Sequence, residues 1–123
     1  LDIRKEMLGD SHPDTAVSYS SVGSVLRCTG DFVGAVKMHK RALELSTVTV
    51  GKHPQTAVFC CNLGTVLAKT GKYDQAIQLY RRAASMRAEL LGVQHPETMN
   101  TYNTIEAIIS AKSRAEKQSE TGS

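Results

Sequence analysis

All three prolines of this chain follow a histidine, at His12-Pro13, His53-Pro54 and His95-Pro96, spaced 41 and 42 residues apart. Threonine stands two residues after each proline, at Thr15, Thr56 and Thr98. An aliphatic-glycine pair precedes each one: Leu8-Gly9, Val50-Gly51 and Leu91-Gly92. A motif that recurs at near-constant spacing marks a chain built from repeated supersecondary units. Units of this kind stack into an array, because none of them buries its apolar face alone.

Similarity continues inside the units. Thr15-Ala16-Val17 matches Thr56-Ala57-Val58, Gly30-Asp31-Phe32 matches Gly71-Lys72-Tyr73, and Lys40-Arg41-Ala42 matches Arg81-Arg82-Ala83. Each unit reads as two helices. Proline is tolerated at a first helical position, where its missing N–H has no helical partner anyway. A first helix is therefore predicted to start near Pro13, Pro54 and Pro96, with Leu63, Val66 and Leu67 at helical spacing in the central copy. Gly30 and Gly71 suit the left-handed position that ends a helix. The second helix is expected to start near Phe32 or Tyr73 and to run to the next aliphatic-glycine pair.

Small residues recur at fixed places: Gly23, Ala35 and Ala42 in one unit, Gly64, Ala76 and Ala83 in the next. Glycine inside a helix costs about 1 kcal/mol relative to alanine. Close approach of two helix backbones, glycine against Ala35 or Ala76, is the expected compensation.

The chain has 123 residues, room for one modest core. Fifteen Lys and Arg against twelve Asp and Glu leave a net charge of +3, too small and too evenly spread to point to nucleic acid. No run of about 18 apolar residues is present, so no membrane span is expected. The first residues are charged and carry no apolar core of a secretory signal. Cys28, Cys60 and Cys61 are odd in number, and two are adjacent, unlike a disulfide framework. They read as reduced thiols of a cytoplasmic protein. There is no phosphate-binding loop, no nucleophile elbow and no paired-carboxylate arrangement. Neighbouring packed helices lie roughly 8–10 Å apart axis to axis, so equivalent histidines one unit apart cannot share a zinc ion with ligand bonds near 2 Å. No catalytic residue, metal or cofactor is expected.

The Gly23…Ala35…Ala42 and Gly64…Ala76…Ala83 pattern resembles the tetratricopeptide repeat signature. A large residue stands four before the glycine position (Tyr19, Cys60, Tyr102), and Tyr80 or His39 stands four after the first alanine. The longer period, with the His-Pro motif in the connecting loop, is similar to the kinesin light chain type of this repeat. The resemblance covers the chain from Leu1 to about Ile109. It implies an all-α fold, an α–α superhelix of antiparallel helix pairs. The expected layout is the tail of a preceding second helix over 1–9, one repeat over 10–51 and a second over 52–92. A partial repeat that ends in a capping helix follows over 93–118, then a disordered tail over 119–123. Glu106 stands at the third glycine position, as expected where no partner helix approaches.

By the same resemblance, function lies on a concave surface lined by the first helices. The groove positions are Ser20, Ser21, Ser24 and Arg27 in the first copy, Asn62, Thr65 and Lys69 in the second, and Asn100, Asn103 and Thr104 in the third. Val17, Cys28, Val58, Cys61, Ala68, Ala107, Ser110 and Ala111 complete the set, which contains no acid and two bases. Asparagine offers donor and acceptor together and can pair with a peptide backbone. Arg27 and Lys69 favour an acidic residue in the ligand. In kinesin light chains an asparagine pair holds cargo peptides that carry tryptophan with acidic flanks. The matching positions here are Ser20-Ser21, Cys61-Asn62 and Asn103-Thr104. The two-carboxylate clamp of chaperone-binding relatives, Lys at the fifth and Asn at the ninth position, is not matched.

The expected function is a non-catalytic protein-interaction module, a fragment of a longer array that binds an extended peptide as a cargo adaptor or scaffold. The alternative is a structural unit that self-associates through bare repeat ends, or a regulatory domain of a signalling protein. Lys37, Lys40, Arg41, Arg81 and Arg82 form a basic ridge on the second helices, read as a solvated outer face.

Overall fold

A computed structural model describes residues 13–121. Five helices follow one another: α1 (Pro13–Cys28), α2 (Phe32–Thr49), α3 (Pro54–Lys69), α4 (Tyr73–Leu91) and α5 (Pro96–Thr121). They pack as sequential antiparallel pairs, α1 on α2 and α3 on α4, with α5 against α4. The segment expected to be the tail of a preceding helix, 1–9, lies outside the described residues. No described helix is long and apolar enough to cross a membrane.

The repeated His-Pro pair has a local cause. His53 has extended backbone and caps α3: its Nδ1 accepts the Gln55 N–H at 3.0 Å, while Pro54 opens the helix. His95 repeats this on α5, accepting the Glu97 N–H at 3.1 Å. Each histidine thus satisfies one of the orphan donors of a helix start. At the other end of the first helices the chain turns through Gly30 (φ 91°) and Gly71 (φ 84°). Asp31 N–H reaches back to the Leu26 carbonyl and Gly30 N–H to Arg27; Lys72 and Gly71 do the same to Leu67 and Ala68. This paired closure needs a left-handed residue, which glycine supplies without strain.

The core runs along the seams. Ala35, Ala42, Ala57, Ala76 and Ala83 are completely buried, so neighbouring helices approach closely along them. The interior glycines meet more than alanine. A β-carbon on Gly64 would lie 2.8 Å from the Tyr80 ring and 3.4 Å from the Ala76 carbonyl oxygen. One on Gly23 would lie 2.9 Å from the His39 ring. The glycine therefore receives the ring that stands four residues after the alanine, and at Gly64 the partner backbone also comes near.

Helix α5 is the last described helix, and the face that α4 covers on α3 is open on it among the described residues. Cys60 and Leu67 of α3 are buried under α4, but their counterparts Tyr102 and Ile109 are 46% and 41% exposed. Glu106 is exposed at the glycine position. The helix runs to Thr121, past Gln118, because neither glycine nor proline interrupts it after Pro96. Lys112 pairs with Asp74 at 2.6 Å and ties this extension to the first turn of α4.

Candidate functional site

The face shared by α1 and α3 is held by a polar chain. Asn62 on α3 donates its side-chain N–H to Ser20 Oγ on α1 at 3.1 Å. Ser20 Oγ lies 3.4 Å from His39 Nδ1 on α2. With the imidazole proton on Nε2, the chain runs donor to acceptor from Asn62 through Ser20 to His39. His39 is buried, and Gly23 makes the room for its ring. Burial, and then the positive charge of Arg27, lowers the His39 pKa and favours the neutral ring this chain requires.

In the next unit Tyr80 takes the place of His39. Its hydroxyl lies 2.5 Å from Thr65 Oγ1, and Thr65 donates its own proton to the Cys61 carbonyl at 2.8 Å. The phenol proton therefore points to Thr65. Burial raises the Tyr80 pKa, partly offset by the Thr65 bond, and the phenol stays protonated.

Between α4 and α5 the polar joint is different. Ser46 Oγ and Thr56 Oγ1 bond at 2.6 Å where α2 meets α3. One unit on, Arg87 stands in place of Ser46, by the register that aligns Gly30-Asp31-Phe32 with Gly71-Lys72-Tyr73. Its guanidinium reaches past Thr98 and donates to Thr101 Oγ1 at 2.8 Å. Thr98 Oγ1 is left buried without a partner. Arg87 also bonds Cys61, whose thiol pKa burial nevertheless raises. Cys60 is fully buried, and its thiol is pushed up to about 11 by burial. Both are poor nucleophiles near neutral pH.

The ten groove positions divide by exposure. Ser21, Lys69, Asn100 and Asn103 are exposed. Ser24, Arg27, Asn62, Thr65 and Thr104 are half-buried, and Ser20 is buried. Ser20 and Asn62 are engaged with each other across α1 and α3; Thr65 and Thr104 cap carbonyls of their own helices. Sequence reasoning missed Arg87, a half-buried cation touching α3 and α5. The signal was a basic residue where the preceding unit has serine. An apolar cavity of about 310 Å³ lies beside Val17, between the start of α3 and the end of α2, with Ala16, Val50 and Phe59 in its wall.

Antiparallel helix pairs stacked in register, with a polar face on the first helices, define a helical-repeat binding module. The family model for the tetratricopeptide repeat matches the chain twice, over residues 14–84 and 55–116. The chain belongs to the tetratricopeptide repeat family. A search of curated proteins returned no match to it. Tetratricopeptide repeats are protein–protein interaction modules, typically without catalytic activity, so the partner class is protein.

Proposed function

We propose that the chain binds an extended peptide along the face of α1, α3 and α5. One observation carries this reading. The Asn62–Ser20 bond locks α1 to α3 on that face, while Ser21, Lys69, Asn100 and Asn103 around it stay exposed. A rigid pair of helices presenting uncommitted amides and hydroxyls loses little entropy on binding a peptide backbone. Arg27, Lys69 and Arg87 bias the face toward ligands with an acidic residue. The kinesin light chain-like reading, an adaptor for acidic-flanked aromatic cargo peptides in the cytoplasm, is the narrower form of the proposal.

The test is a binding assay on the full chain with peptides selected from a random display library. Lys69→Glu/Asn103→Asp is the variant of choice, because both side chains are exposed, whereas Asn62 also holds α1. Loss of affinity by about tenfold or more is expected. Unchanged affinity for every selected peptide contradicts the proposal. Selected peptides without an acidic residue beside an aromatic contradict the narrower form alone.

A second reading has its own support. Met99, Tyr102 and Ile109 form an exposed apolar stripe on α5, 51%, 46% and 41% accessible. A second copy of the chain covering this stripe makes the module a self-associating unit. Sedimentation that shows one monomeric species at all concentrations contradicts it.

A further inference from the structure

The opposite side of the array holds a groove that the peptide-face reading does not use. Helices α2 and α4 stand apart there, with Leu63 and Leu67 of α3 between them. Two cavities, about 590 and 230 Å³, share Lys40, Leu63 and Leu79 in their walls and so adjoin along one cleft. Leu43 of α2 adds to its apolar lining, and Val48, 82% exposed, stands at its rim. The α2 wall comes from residues 36, 40, 43, 44, 47 and 48, and the α4 wall from 75, 78, 79 and 82. Both sets follow helical spacing, so each wall is one whole helix face.

The cations in these walls are unspent. Lys40 is exposed and forms no ion pair among the described residues. Arg82, on the facing wall, donates to the neutral Thr47 hydroxyl at 3.1 Å. Glu44 is the one carboxylate in the lining. A carboxylate can accept two parallel bonds from a guanidinium and adds an ionic attraction that the neutral Thr47 hydroxyl lacks. An incoming acidic side chain therefore displaces Thr47 from Arg82 and gains Lys40 from the other wall. Exposed ion pairs contribute little alone. The leucine floor supplies the rest by taking a large apolar side chain out of water.

We propose that this cleft is a second docking site, for a partner protein's peptide segment carrying a large apolar anchor beside an acidic residue. The acid is held by Lys40 on the α2 wall and Arg82 on the α4 wall. The site is independent of the peptide face on α1, α3 and α5, and either can fail without the other.

The probe is a random peptide display library of about 12 residues, roughly 40 Å when extended, selected on the full chain. Enriched peptides are then measured against Lys40→Glu/Arg82→Glu and against Lys69→Glu/Asn103→Asp. Lys40→Gln/Arg82→Gln serves as a milder pair should the charge reversal lower the melting temperature. The expected result is a group of acidic, leucine- or aromatic-bearing peptides that lose about tenfold or more in affinity on the first variant and none on the second. The inference is overturned if no such group is enriched, or if its members bind the Lys40/Arg82 variants as tightly as the parent. Loss on the Lys69/Asn103 variant alone also overturns it, by assigning the peptides to the other face.

Discussion

Gly64→Ala puts two effects of known sign against each other. Alanine in a helix interior is favoured over glycine by about 1 kcal/mol. The added β-carbon, however, would lie 2.8 Å from two carbons of the Tyr80 ring, closer than such atoms pack. The ring cannot step aside freely, because it is buried and its hydroxyl is tied to Thr65. Overpacking of this kind costs about 1–3 kcal/mol. The net effect is a destabilisation of about 1 kcal/mol, or about 4 °C in melting temperature for a chain of this size. Urea denaturation followed by circular dichroism measures it. The control is the same substitution in a Tyr80→Leu background, where the ring is gone and alanine is expected to stabilise by about its propensity advantage. If Gly64→Ala stabilises the parent by the full advantage, the ring does not confine this site and the packing argument is wrong. Gly64→Leu, with three further carbons to place, is expected to unfold the array.

Three further outcomes follow from the polar joints and the thiols. Thr56→Val is expected to cost about 1 kcal/mol by leaving Ser46 unpaired, whereas Thr98→Val, whose hydroxyl has no partner, is expected to be neutral or stabilising; equal costs in urea melts contradict the assignment. Because burial and Arg27 lower the His39 pKa, the unfolded chain binds that proton at higher pH than the folded chain. Stability from His39 is thus full above the ordinary value of 6.5 and falls as pH drops below it toward the folded value. A His39→Phe variant that keeps the same difference in urea midpoint between pH 5 and 7.5 as the parent refutes this. With Cys28 exposed and Cys60 pushed up to about 11, iodoacetamide near pH 8 is expected to modify Cys28 first and Cys60 last, as read by mass spectrometry.

Features governed by local chemistry were legible in the sequence. The helix starts at Pro54 and Pro96 and the turns at Gly30 and Gly71 depend on residues within one helical turn of each other. The repeated letters report them directly. The small-residue seam was legible as a need for closeness, but the group filling it was not. Which side chain meets Gly23 or Gly64 depends on the phase between two helices, and this brings His39 and Tyr80 against them. The repeat position of Ser20 marks it as a groove residue; its burial follows from the neighbours Asn62 and His39 supplied by other helices. Arg87 escaped notice because its partners lie on α3 and α5, not on its own helix. The basic ridge was visible as Lys40 and Arg82, but not the leucine-floored cleft between them, which exists only once α3 separates α2 from α4.

The central claim is that the first-helix face is the peptide-binding face. Its most direct test is backbone amide shift mapping with the tightest library-selected peptide, on Lys40→Glu/Arg82→Glu protein so that the cleft between α2 and α4 does not contribute. The account predicts shifts clustered at Ser21, Ser24, Asn62, Thr65, Lys69 and Asn103, on three successive first helices. Shifts confined to α2 and α4, or to Met99, Tyr102 and Ile109 of α5, contradict it.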